Sequence, residues 1–293
     1  MAPIKLAVIA IHGMGSQDPG FSNDMFAELK RLLGADQTSV FWDEVYWANI
    51  IEARQQEYLH DARTAAELDQ NRIRNFVVSA LGDAVAYQRV RPVPVGASEA
   101  EYKEARKDGT YYKIHERIAE VVTRVYEQGL QERPVPLVIL AHSLGGHIFT
   151  NYYWDVRQPP SERRFAVQQI RETETLSTFE RLDWLSGIVT FGCNIPLFTF
   201  ALDKVVPIEF PPPRLPERYR KRSQWLNLFD PDDVLGYPLQ PINDAYSKVV
   251  TEDISIDVGN PFLGWTPYSH TQYWTDNDLT VRIANLLRSL LAA

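Results

Sequence analysis

Ser143 stands in the run Pro136-Leu-Val-Ile-Leu-Ala-His-Ser-Leu-Gly-Gly146, and that setting suits a nucleophile. A serine hydroxyl attacks a carbonyl when it projects from a sharp strand-to-helix turn, with a base on one side and the substrate on the other. Such a turn crowds the backbone. The residues two before and two after the serine must therefore be small, and here they are Ala141 and Gly145. The helix starting near Leu144 offers a free backbone N–H and a positive dipole end to a developing oxyanion. A second turn of small residues, His12-Gly13-Met14-Gly15, follows the apolar stretch at 4–11, and its glycines let backbone approach a bound group closely. The chemistry also needs an acid and a base. Three aspartates, Asp230, Asp232 and Asp233, compete in the turn after residues 225–229. Among six histidines, His12 and His142 belong to the two turns, and His147 lies one helical turn beyond Ser143, pointing back along its helix. His60 and His115 sit in polar, helix-like contexts and read as surface residues. His270, in a loop just before the last helical segment, remains as the base.

Elements must hold those residues in place. Residues 4–11, 137–141, 187–191 and 225–229 are apolar runs without alternation, each ending in small or turn-forming residues. Runs of this kind suit strands buried on both faces of a parallel sheet. Between them, 21–33 places Phe21, Met25 and Leu29 on one helical stripe, and 111–130 does so with Ile114, Ile118 and Val125. Residues 277–291 repeat the pattern with Leu279, Ile283 and Leu286, and Asp276 or Asn277 can cap their start. Strand alternating with helix predicts an α/β fold, a mostly parallel central sheet flanked by helices. The 293 residues fit a single domain with insertions. Residues 48–108 are polar and helix-prone and read as a helical insertion, a cap or lid over the carboxyl ends of the strands. Residues 159–185 are a second candidate insertion, or simply extra helices packed on the sheet.

The segment around Ser143 resembles the nucleophile elbow of the α/β-hydrolase superfamily, usually Gly-x-Ser-x-Gly, with alanine here at the first small position as in small bacterial lipases. His12-Gly13-Met14-Gly15 resembles the His-Gly element that follows the first strand of that superfamily. The resemblance implies the Met14 and Leu144 amides as oxyanion donors, supported by His12, Gly13, Gly15, His142 and Gly145. It also implies the chain order serine, acid, histidine. Asp230-Pro-Asp232-Asp233-Val234 resembles the Asp-Pro-x-Asp-x-Val turn of lipase-like members, whose later aspartate faces the histidine. Asp233 is therefore the expected acid. Asp230 is the alternative, better suited to buttress the turn through nearby backbone N–H groups, and Asp232 is expected in solvent. Ser269-His270-Thr-Gln-Tyr273-Trp274 resembles the histidine segment of lipase-like and DDHD-like hydrolases. These resemblances imply a lipase- or esterase-like serine hydrolase cleaving a carboxylic ester through an acyl-enzyme. A thioesterase or acyltransferase, or a non-catalytic binding protein on the same scaffold, are the alternatives, since one fold hosts all of these.

Composition narrows the partners. The chain is 45% hydrophobic and 23% charged, with a formal net charge of −8. A field of that sign repels phosphate backbones, so the expected partner is a small-molecule acyl ester rather than nucleic acid. Basic residues do cluster at 214–222, but Pro211, Pro212, Pro213 and Pro216 sit among them, and the stretch reads as a solvated loop. The single cysteine, Cys193, permits no intrachain disulfide and reads as a small hydrophobe. No secretory signal opens the sequence, and no apolar run approaches about 18 residues, so no transmembrane segment and a cytoplasmic location are expected. No His-Glu-x-x-His or Cys-x-x-Cys pattern occurs, and neither metal nor cofactor is expected. Trp265, Tyr268, Tyr273 and Trp274 surround His270 and are candidates to line an apolar substrate channel. Oligomeric state is left open.

Overall fold

The computed structural model describes residues 3–66, 69, 71–88, 98, 109–157, 176–259 and 269–293. Six strands, β1 (Leu6–Ile11), β2 (Val40–Val45), β3 (Leu137–His142), β4 (Leu185–Phe191), β5 (Gln224–Phe229) and β6 (Glu252–Ser255), form one sheet in the order β2-β1-β3-β4-β5-β6. All five pairings are parallel. β1 and β3 are buried along their whole length because helices cover both faces of the sheet. Alternate residues of β1 divide between two apolar layers. Ala7, Ile9 and Ile11 pack in one core, and Leu6, Val8 and Ala10 in the other.

The helices, in chain order, begin with α1 (Asn23–Leu33) after β1. After β2 come α2 (Glu52–Ala65) and α3 (Asn71–Phe76), which continues through a π turn (Val77–Leu81) into α4 (Gly82–Ala86). α5 (Thr110–Arg124) precedes β3, and α6 (Leu144–Arg157) follows it. Three short helices, α7 (Ile195–Thr199), α8 (Glu217–Arg220) and α9 (Asp244–Val249), lie further along, and α10 (Asn277–Leu291) closes the chain. α1 and α10 pack together on the Leu6 face through Met25, Leu29, Ile283 and Leu287. α5 and α6 cover the Ala7 face with Ile114, Ile118, Ile148 and Phe149. Asp276 caps α10 by accepting from the Leu279 amide at 2.8 Å.

Several expectations need adjusting. β2 and β6, the two edge strands, were not anticipated from apolar runs. The helix expected over 111–130 ends at Arg124, and a π turn over Val125–Gly129 finishes the segment. The basic stretch at 214–222 is not a plain loop, since α8 runs through it and Arg220 caps the carbonyls of Pro212 and Leu215. Of the expected insertion at 48–108, the described part is helical, built from α2 to α4. Residues 158–175, most of the second candidate insertion, lie outside the described residues. So do Trp265 and Tyr268. No helix among the described residues is long and apolar enough to cross a membrane.

The strand order has a consequence for the site. The chain leaves β1 towards β2 on one side, and leaves β3 towards β4 on the other. The turns after β1 and β3 therefore diverge at a topological switch point, where open parallel sheets leave a crevice at the strands' carboxyl ends.

Candidate active site

Ser143 lies at that switch point, at the carboxyl end of β3. It sits between the end of β3 and the start of α6 with φ +53, a left-handed conformation that L side chains adopt at a cost of about 1 kcal/mol or more. The turn is locked from both sides. The Ser143 amide donates to the Phe191 carbonyl at the end of β4 at 2.9 Å, and the Gly146 amide donates back to the Ser143 carbonyl. At Gly145 an added Cβ would lie 2.7 Å and 2.8 Å from the carbonyl oxygens of His12 and Ile11, so only glycine lets α6 start this close to β1. Gly13 is under the same constraint from the other turn, where a Cβ would lie 2.5 Å from Ser143 Cβ.

His270 is carried by a 3-10 turn (Ser269–Thr275) that leads into α10. Its Nε2 lies 2.7 Å from Ser143 Oγ, and its Nδ1 lies 2.8 Å from Asp233 Oδ2. With a carboxylate at Nδ1, the proton resides there and Nε2 is free to accept from the serine. All three residues are buried. Burial opposes ionisation of Asp233, but bonds from His270, the Leu235 amide and Tyr273 outweigh it and hold the carboxyl below its usual range. The structure thus brings together Ser143, His270 and Asp233. Asp230 is elsewhere engaged, its two oxygens accepting from the Asp232 and Val258 amides at 2.8 and 2.9 Å. Asp232 is exposed.

The other histidines are held in supporting or unrelated places. His142 donates from Nε2 to the His270 carbonyl at 2.7 Å, tying β3 to the turn that carries His270. Burial and the neighbouring His270 keep His142 neutral, well below the usual imidazole range. His12 stacks on Trp47 with ring centroids 4.6 Å apart. Its Nε2 accepts from the Trp47 and Ala48 amides at 3.0 and 3.2 Å, so the proton sits on Nδ1, which donates to the Gly13 carbonyl at 2.7 Å. Burial lowers its pKa to about 3, only partly opposed by the Gly13 bond. His12 is neutral, spent on backbone, and unavailable as a base. His147 stacks on Phe198, and burial lowers its pKa to about 4. His115, read from sequence as a surface residue, is instead buried beside Tyr87 and Asp155. It falls on the inward stripe of α5 with Tyr111, Ile118 and Val122, so its helix-polar neighbours misled the reading.

Met14 and Gly15 are half-buried, and Leu144 is the first residue of α6. The Leu144 N–H is one of the orphan donors of a helix start. The His12 imidazole fixes the carbonyl of the peptide between Gly13 and Met14. Because that peptide is planar and trans, the Met14 N–H is aimed the opposite way.

Tyr273, a candidate channel-lining residue from the sequence, is instead bonded to the acid, whereas Gly192, Gly236 and Asp83 had no part in the site as read from sequence. Tyr273 donates to Asp233 Oδ2 at 3.0 Å and accepts from the Asp230 amide at 2.9 Å. Its signal was the spacing of three from His270, which eclipses the two side chains in a 3-10 turn. Gly236 and Gly192 leave room for this group, since Cβ atoms there would lie 2.7 and 3.3 Å from Asp233 Oδ2. Asp83, in α4, accepts from the Gly15 amide at 2.8 Å. Nothing local in the sequence marked it. Cys193 is buried against α6, its thiol pushed up to about 12 by burial. No group of three or more His, Cys, Asp or Glu residues among the described residues could hold a metal ion.

Compared with known proteins, the chain matches no family model, and no curated sequence matches it.

Proposed function

We propose that the protein is a serine hydrolase of the α/β-hydrolase type that cleaves a carboxylic ester. The observation that carries this reading is the hydrogen-bonded sequence Ser143 Oγ, His270 Nε2, His270 Nδ1, Asp233 Oδ2, with links of 2.7 and 2.8 Å and a serine at φ +53. A strained, buried serine facing an imidazole has little to recommend it structurally, whereas nucleophilic catalysis needs it.

Ser143 attacks the acyl carbon as His270 takes its proton through Nε2. Asp233 keeps the proton of the neutral imidazole on Nδ1 and stabilises the imidazolium that forms. The Met14 and Leu144 amides bind the oxyanion, and each such donor is worth about 3–4 kcal/mol of barrier. His270 then protonates the departing alcohol, and water, activated by the same nitrogen, releases the acid. The helical insertion is the candidate cap over this site. With an acid and an alcohol as products, the reaction balances without metal or cofactor.

A fluorophosphonate probe with peptide mapping tests the proposal. Wild-type protein should label at Ser143 in one-to-one stoichiometry, Ser143→Ala should not label, and His270→Ala should label at least about 100-fold more slowly. A well-folded wild type that neither labels nor hydrolyses p-nitrophenyl acetate or butyrate would refute it in favour of a binding role.

A further inference from the structure

We propose that Asp83, supplied by the helical insertion, is a positioning residue for the oxyanion-binding loop: its carboxylate holds the peptide between Met14 and Gly15, and so fixes the Met14 amide from the side that His12 leaves free. The inference rests on the hydrolase reading above, and takes a residue distant in sequence into the machinery of the site.

The geometry is one of two consecutive peptide planes. His12 Nδ1 holds the plane between residues 13 and 14 by its carbonyl oxygen at 2.7 Å. Asp83 Oδ2 holds the next plane, between 14 and 15, by the Gly15 N–H at 2.8 Å. Only φ and ψ of Met14 lie between two planar peptides, so fixing both planes fixes Met14. Gly15 itself is at φ +94 with nothing within 4 Å of the position a Cβ would take. Space does not require glycine there. Its left-handed φ, which L side chains rarely adopt, does.

Asp83 is in turn held. It is 4% exposed, and its Oδ1 accepts from Gln55 Nε2 of α2 at 2.7 Å. The same Gln55 amide reaches the Val78 and Ser79 carbonyls, both 3.3 Å away in the π turn that precedes α4. The insertion is thereby tied to the loop through one carboxylate with neutral donors on both oxygens. Burial raises the Asp83 pKa to about 6, against the bonds from Gly15 and Gln55, and Glu52 adds to the rise. Among the described residues only neutral donors meet this buried carboxylate, an arrangement that costs stability a neutral acceptor would not. What it supplies in exchange is a charge-assisted bond, roughly twice as strong as a neutral one, at a loop that must not move.

The test compares wild type, Asp83→Ala and Asp83→Asn in hydrolysis of p-nitrophenyl butyrate and in inhibition by an alkyl trifluoromethyl ketone, whose serine adduct carries the oxyanion. Asp83→Ala should lower kcat about 10- to 100-fold and weaken the ketone by a similar factor, with KM within about threefold of wild type. Asp83→Asn, which keeps the shape and loses the charge, should fall between the two. A folded Asp83→Ala that keeps wild-type kcat and ketone affinity, or that changes KM alone, overturns the proposal. Should Asp83→Ala fail to fold, wild-type values for both quantities in Asp83→Asn overturn it instead, and a loss of about threefold or more in both supports it. A wild type that is folded yet neither labels at Ser143 nor turns over ester fails at the hydrolase reading, and removes the proposal with it. A wild type that is active beside an unaffected Asp83→Ala fails at Asp83 alone.

Discussion

Two aspartates three residues apart divide the work at the turn after β5. Asp233 faces His270, whereas Asp230 spends both oxygens on backbone amides. Asp233→Ala should therefore lower kcat about 10³- to 10⁴-fold, while Asp230→Ala should lower the melting temperature and cost the rate much less. The reverse ranking would reassign the acid. The burial of Asp83 gives a second residue-scale outcome, opposite in sign to that of Asp233. A carboxyl whose pKa is raised on folding contributes stability below its unfolded value and loses it as pH rises towards about 6. Asp83→Asn should thus unfold like wild type near pH 4 and be more stable above pH 6, by up to about 3 kcal/mol, in urea titrations across that range. Asp233, held low, contributes stability at neutral pH that is lost as pH falls through its native pKa. A variant more stable but slower would be the mark of a carboxylate kept for position.

At the scale of elements, what could be read in advance was what lies buried on both faces. The central strands β1, β3, β4 and β5 were legible because burial on both faces makes their runs largely apolar, and the few buried polar residues among them, such as Thr190 and Asn227, are paired with each other at 2.8 Å. β2 and β6 were not. They are the sheet edges, where Asp43, Glu44, Glu252 and Asp253 interrupt the apolar pattern and, among the described residues, one side of the ladder has no strand beside it. The site divides in the same way. Ser143 and the two glycine turns could be located because close approach restricts residue type at fixed spacing. Asp83 could not, because its partner, Gly15, is 68 positions away and any helix carries aspartates. The turn itself makes a prediction. Gly145→Ala sets a methyl against the His12 and Ile11 carbonyls, which are backbone and cannot swing aside. It should destabilise the protein by about 1–3 kcal/mol in denaturant titration and reduce Ser143 labelling as α6 is displaced.

The molecule as a whole carries a formal charge of −8. Its field should disfavour anionic substrates before any contact is made. At low ionic strength a neutral ester is expected to show a higher kcat/KM than its carboxylate-bearing analogue, and the gap should narrow by about 0.5 M salt as screening shortens to a few ångströms. A gap that ignores salt would place the discrimination in the pocket instead. The strand order has a kinetic side as well. The β1–β3 pair that underlies the site aligns Ala7 with Leu137, so its formation closes a loop of about 130 residues before any contact repays the lost entropy. Helices made of neighbouring residues form far sooner. On refolding from denaturant, helical signal should return first and reactivity at Ser143 last, which would make that serine a clock for the final step of folding.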